Sequence, residues 1–227
     1  MGNKKLKITA GILSCLTVIA IGNYCYKTQA VNNIKNEVIA TNEPIVITQV
    51  SSYDTRYNFA DSDVLAQYSD LVVIGKVTDL ESATNFNPTT KKYGKARTPG
   101  SLEVLEIIKS DGKIGSKIEF MDGGGTISYS DYEKSLLPAQ KAKRDYLMNK
   151  NGTLSTSDMN NVYVKQISEN QLEIEENKTY IMYLNYNEDF GKYMVVNQPY
   201  GVKEYNVNTG KILNHVTDTV ESVEDLK

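Results

Sequence analysis

The sequence predicts a mainly β protein, a small barrel carrying a helical insertion, and three observations lead there. Two runs, residues 68–78 (YSDLVVIGKVT) and 179–186 (TYIMYLNY), are apolar on both faces of a period-2 strand, as strands covered on both sides are. Shorter strand-like runs at 102–109, 117–121, 192–196 and 201–207 are bounded by turn signals such as Asp111-Gly112 and Asn208-Thr209-Gly210. Gly75 interrupts the first run, which marks a bulge or the sharp bend that a small barrel needs at its corners.

With 227 residues and 40% hydrophobic content, the chain can bury one substantial core, so a single domain is expected behind a leader. The leader is residues 1–30. Lys4, Lys5 and Lys7 precede an apolar run from residue 8 to 21, and a more polar stretch ends at Thr28-Gln29-Ala30. That is the pattern of a secretory signal peptide cleaved after Ala30; continued through Tyr26, the same run gives about 19 mostly apolar residues, the length of a membrane anchor. Cys15 and Cys25 both fall here, in contexts that do not fit lipid attachment, and no cysteine follows. A domain exported to the cell surface without disulfides must be held by core burial alone, a habit of Gram-positive envelopes, and thiol chemistry and cysteine-ligated metals are excluded from it. Beyond residue 30 there are 21 basic and 28 acidic residues, a net charge near −7 that argues against nucleic-acid binding.

Taken in order, residues 31–59 read as a tether passing into an edge strand at 44–50. Residues 61–68 read as a short helix with Asp61 or Ser62 as N-cap and Val64, Leu65 and Tyr68 on one face. After the central strand, 79–100 reads as a polar loop in which Lys91, Lys92, Lys95 and Arg97 surround Tyr93. Cations beside an aromatic ring can cradle a phosphate polymer, and the plainer alternative is a solvated hairpin tip. The strand at 102–109 ends in Ser110-Asp111-Gly112-Lys113, an S-x-x-K spacing without the companion motifs of penicillin-recognising enzymes. In 117–121, Ile118 and Phe120 alternate inward, and the run closes on Asp122 and three glycines, read as a strand-ending bulge because Asp122 would repel an anion. Residues 129–170 read as an insertion. It holds a helix over 131–150, broken or begun at Pro138, with Ala142, Tyr146 and Leu147 as its stripe, then short segments at 162–165 and 171–174. Residues 214–227 read as an acidic tail, either loose or weakly helical. Leu71, Val73, Leu105, Ile118 and Ile181 are expected in one core.

This order of elements, and within it residues 68–77, 107–110 and 178–184, resembles the netrin-like modules and the tissue inhibitors of metalloproteinases. It is also similar to exported proteins of clostridia and bacilli with the same strand pattern. The resemblance covers about residues 60–213 and implies an OB-like five-stranded barrel. The inhibitors chelate zinc through an N-terminal cysteine of the domain. No cysteine follows Cys25 here, so protease inhibition is not implied.

No catalytic set emerges from the residues. His215 is the one histidine, which rules out a histidine-rich zinc site and leaves a triad only a peripheral base. Asp61, Asp63, Glu173, Glu175 and Glu176 lack calcium-loop spacing and read as solvated acids. There are 16 tyrosines and no tryptophan, and Tyr180, Tyr183, Tyr186, Tyr193, Tyr200 and Tyr205 crowd the C-terminal strands, where outward-facing rings would suit sugars or a protein partner. The reading is a non-catalytic cell-envelope domain with no cofactor and no metal. It binds an anionic surface polymer or a surface protein, and Lys91, Lys92, Tyr93, Lys95 and Arg97 are the candidate site. Two other classes stand beside it: a carboxylate-based enzyme acting on cell-wall glycans, and a structural partner domain in an envelope complex.

Overall fold

The structure is a computed structural model, and it describes residues 44–52, 57–151 and 158–226. The leader and most of the tether lie outside the described residues. Among the described residues no helix is long and apolar enough to cross a membrane.

The fold is mainly β, in two sheets. The elements of the larger one include β2 (Leu71–Leu80), β3 (Thr84–Asn87), β4 (Lys92–Ser110), β5 (Lys117–Gly123), β8 (Thr179–Asn187) and β9 (Lys192–Val195). Their pairing returns on itself. β2 pairs with β4, β4 with β5, β5 with β9 in parallel, β9 with β8, and β8 again with β2. β8 closes this circuit by dividing one edge between two partners. Its C-terminal half takes β9, and its N-terminal half takes β10 (Val202–Asn206), from which β11 (Lys211–Asn214) and β12 (Thr219–Ser222) fan outward. The smaller sheet runs β1 (Ile45–Ser51), β7 (Val162–Ser168), β6 (Gly125–Ser128), with β1 parallel to β7. β1 is therefore an edge strand, as its position in the tether suggested.

The two-sided burial of β2 has a direct cause. Leu71, Val73 and Val77 point into the circuit with Leu102, Ile118, Phe120, Tyr180, Met182 and Leu184. Val72 and Ile74 point out of it, against Leu65 of α1 (Ser62–Gln67), Ile181, Tyr183, Ile212 and Val223. Ile181 thus belongs to the outer layer, not to the interior expected for it. α1 starts where Asp61 accepts the Asp63 and Val64 amides at 2.9 and 3.4 Å, satisfying donors that the first helical turn leaves open. At its far end Lys109 Nζ donates to the Ala66 and Ser69 carbonyls at 2.9 and 2.6 Å.

Leu105 corrects the expected core more sharply, because it is 52% exposed. The β2–β4 register slips three times, and one slip leaves Leu105 unpaired between Glu106 and Val104, opposite Ile74 and Gly75. Leu102 and Val104 take the inward positions, so period-2 alternation turns Leu105, one residue on, to the exposed face. Gly75 sits at that slip. A Cβ there would come within 2.5 Å of Leu102 Cγ and 2.8 Å of the Glu103 carbonyl, so only glycine lets β4 cross so closely.

Four further expectations change. The polar loop 79–100 is mostly strand: the end of β2, then β3, a turn, and the first nine residues of β4, which pairs with β3 on one side. The helical part of the insertion breaks at Pro138 as expected, into α2 (Tyr129–Ser135) and α3 (Pro138–Asn151), but of the expected stripe Ala142 and Tyr146 are exposed while Lys141 and Arg144 are half-buried, and the Leu147 side chain lies outside the described ones. Arg144 binds Glu133 of α2 and Asp145 at 2.6 Å each, so ion pairs rather than apolar contacts engage the start of this helix. Residues 171–174 form no strand, although Leu172 and Ile174 pack on the interior. Residues 219–222 of the supposed acidic tail form β12, and residues 223–226 close as a short 3-10 turn that buries Val223.

Candidate binding site at two hairpin tips

The basic cluster is carried by a β-hairpin, not a loop. Lys91 lies in the turn with φ 57°, and Lys92, Tyr93, Lys95 and Arg97 belong to β4, where Lys92 faces Asn87 and Tyr93 faces Phe86 across the ladder. The β3–β4 ladder slips register between Tyr93 and Arg97, and across the slip Lys92, Tyr93 and Lys95 are exposed, Arg97 is half-buried and Ala96 is buried against Ile127, Tyr129, Val162 and Val164. Burial of Ala96 fixes the register, and its amide is held by Gln166 Oε1 at 2.8 Å. The cluster is therefore carried on paired strand rather than on a free loop.

The structure brings in side chains that the sequence did not connect to the cluster. Phe86 lies 5.1 Å from the Tyr93 ring, Lys134 of α2 places its ammonium 5.0 Å from the same ring, and the Arg97 guanidinium lies 4.9 Å from the ring of Phe190. Phe190 belongs to the turn of the β8–β9 hairpin. That turn also meets the β3–β4 turn directly, where Thr89 Oγ1 donates to the Asp189 carbonyl at 2.5 Å. Two hairpin tips about 100 residues apart in sequence are joined into one surface carrying cations and aromatic rings. Glu188 and Asp189 in the second turn temper the positive field, and Lys134 is itself bound to Asp131 at 2.8 Å. The hydrogen bonds from Lys134 and Ser128 hold the Asp131 carboxyl below its usual range, so this pair is ionised together at neutral pH.

The other sequence candidates are occupied in structural work. Asp61 caps α1, Glu173 binds Lys165, Glu175 binds Lys178, and Glu176 accepts the Leu80 amide at 3.0 Å. Ser110 Oγ closes its own turn by binding Gly112. The glycines after Asp122 are packed against protein. A Cβ on Gly124 would meet the Gln166 carbonyl at 2.5 Å, and one on Gly125 would meet Ala83 and Thr98 at the same distance. Asp122 is buried and accepts hydrogen bonds from the side-chain amides of Gln171, at 2.9 Å, and Gln198. Burial pushes its pKa up to about 7, against the opposing pull of those amides and of the Gly123 backbone. His215 hydrogen-bonds the Asn170 carbonyl at 2.8 Å, and no cluster of three metal-ligating side chains occurs among the described residues.

One buried network was invisible in the sequence. Lys203, with no exposed surface, binds Glu221 of β12 at 3.0 and 3.1 Å and the Ser62 hydroxyl, which in turn donates to Glu221. Asn214 adds a bond to Glu221 at 3.4 Å, and the Lys203 ammonium lies 5.8 Å from the Tyr183 ring. The Tyr183 hydroxyl faces Ser62, but the Ser62 oxygen is committed to Lys203 and Glu221, and among the described residues the hydroxyl makes no well-formed hydrogen bond. Burial, with the carboxylates of Glu221, Asp63 and Asp61, pushes the Tyr183 pKa up to about 12. A serine beside a lysine can serve as a nucleophile and its base. Here the lysine is neutralised by a carboxylate and both side chains are buried, so the network clamps α1, β10 and β12 together.

No known protein-family model matches the chain, and no curated protein matches it.

Proposed function

We propose that the chain is an exported cell-envelope domain, built on an OB-like five-stranded barrel, that binds an anionic surface polymer at the joined hairpin tips. One observation carries this reading: the Arg97 guanidinium lies over Phe190 and the Lys134 ammonium over Tyr93, beside Phe86, on two joined hairpin tips that also carry Lys91, Lys92 and Lys95. The circuit β2–β4–β5–β9–β8, with its single parallel step between β5 and β9, supports the barrel assignment. Ligands of such barrels meet loops beside the central strands, which is where these tips lie in sequence. The charge pattern supports a polyanion over a neutral ligand. On a body of negative net charge the tips form a local cationic patch whose reach is about 10 Å at 0.1 M salt. Export rests on the leader, whose basic start and apolar run suit translocation.

The test is hydrogen exchange with and without poly(glycerol phosphate), a phosphate-backbone polymer of the expected class. Amides in residues 84–97 and 187–192 gain protection on this account. Protection confined to other segments would place the binding surface elsewhere.

A further inference from the structure

A shallow cleft lies on a different part of the surface, where the start of β2, the β4–β5 turn and the β8–β9 hairpin meet. A cleft of about 240 Å³ is lined there by Asp70, Asp111, Lys113, Ile114, Tyr186 and Tyr193. Its volume falls below the roughly 300–1,000 Å³ of pockets that enclose whole drug-sized ligands, so it suits one ring of a longer molecule. Tyr186 is 53% exposed, although it stands opposite half-buried Tyr193 in the β8–β9 ladder. The two rings meet edge to face, with centroids 5.3 Å apart at 70°. This contact braces Tyr186 and offers its ring as a fixed platform, with little rotamer freedom left to lose on binding.

The polar groups around that platform have capacity to spare. Asp70 Oδ2 accepts the Tyr186 amide at 3.1 Å, which ties the carboxylate to the platform and leaves Oδ1 for a ligand. Asp111 and Lys113, in the exposed turn, form no ion pair with one another or with any other side chain among the described residues. We infer that this cleft is a saccharide subsite: one pyranose ring stacks its C–H face on Tyr186 while Asp70, Asp111 and Lys113 bind its hydroxyls. An aromatic cage for an ammonium group would need ring faces set apart around a gap. Two rings in contact provide none, so the geometry favours the sugar.

The experiment is calorimetric titration of the full chain with three soluble probes: hexamers of β-1,4-linked N-acetylglucosamine, β-1,4-linked glucose and α-1,4-linked glucose. At least one should bind, with an affinity unchanged between about 0.05 and 0.5 M salt, since no charge is neutralised. Tyr186→Ala should weaken that binding about tenfold, while Tyr186→Phe, which keeps the ring, stays within about threefold of the parent. The double variant Asp111→Ala/Lys113→Ala alters only exposed side chains, so it gives a second reading if Tyr186→Ala fails to fold; it should weaken binding by a similar factor. Absence of binding for all three probes would overturn the inference. So would binding that survives both the Tyr186→Ala and the double substitution, or competition by tetramethylammonium. Sensitivity to salt together with loss in a variant lacking Lys91, Lys92, Lys95 and Arg97 would assign the sugar to the hairpin tips and equally overturn it.

Discussion

Asp122 gives the structure a pH dependence of known sign. Its carboxyl is buried between two glutamine amides, and its pKa is pushed from an ordinary value of 3.8 to about 7 by that burial. A group whose folded pKa is raised contributes stability that is complete below the unfolded pKa, and that contribution is lost as pH rises through the folded value. Between pH 4 and pH 7 the folded state therefore gives up stability through this residue. About three pKa units at 1.36 kcal/mol each set a ceiling of roughly 4 kcal/mol, a large share of the 5–15 kcal/mol that holds a typical domain. Asp122→Asn keeps the shape and removes the ionisation. One Gln198 amide rotation lets the new NH₂ group find an acceptor, as a protonated Asp122 would. The assay is urea denaturation of both proteins at pH 5 and pH 8. The variant's stability relative to the parent should rise by about 2–3 kcal/mol between pH 5 and pH 8. Taking the difference between the two proteins cancels the other titrating groups. A relative stability that falls between pH 5 and pH 8 would refute the reasoning, since it would mean that the ionised carboxylate is favoured where it sits.

Three other substitutions test other levels of the account. Lys203→Met strands the Glu221 carboxylate and the Ser62 hydroxyl and should cost about 3–5 kcal/mol in denaturant melts, whereas Lys203→Met/Glu221→Leu should recover most of it; equal losses would show that the ion pair is not the clamp. Gly75→Val forces a side chain into Leu102 and the Glu103 carbonyl and should destabilise by at least the 1–3 kcal/mol typical of overpacking, so an unchanged melting temperature would contradict the β2–β4 crossing. Val73→Asp puts an unpaired charge inside the strand circuit and should abolish the cooperative thermal transition, which circular dichroism would report; a folded variant would move Val73 out of the interior.

The parts of this fold that the sequence made legible are those where burial acts on both faces of a short segment. β2 and β8 announce themselves by continuous apolar runs, and Asp61 announces α1 because a cap depends on residues one turn apart. What stayed hidden depends on partners far away in the chain. The start of β4 carries Lys92, Tyr93, Lys95 and Arg97 with only Ala96 buried among them, so its periodicity is nearly silent, and its strand character comes from pairing with β3 and β5. Leu105 misled because it is apolar at the parity opposite to Leu102 and Val104, which hold the inward positions of β4. β12 reads TVES, too polar to resemble a strand, and is held by β11 and by the Lys203–Glu221 pair. The candidate site was half visible. Its cations lie within seven residues, but Phe86, Lys134 and Phe190 join them only through the hairpin pairing, the placement of α2 and the contact between two distant turns.

The most direct test of the central claim is a salt titration of polymer binding, with fluorescence anisotropy of labelled poly(glycerol phosphate) read for the parent and for Lys91→Ser/Lys92→Ser/Lys95→Ser/Arg97→Ser. The account predicts parent binding that weakens steeply between about 0.05 and 0.3 M salt, and a quadruple variant, folded by circular dichroism, that binds at least about tenfold more weakly with a shallower salt slope. A quadruple variant with the parent's affinity and slope across the titration would contradict it, and would leave the hairpin tips as no more than a solvated end of the domain.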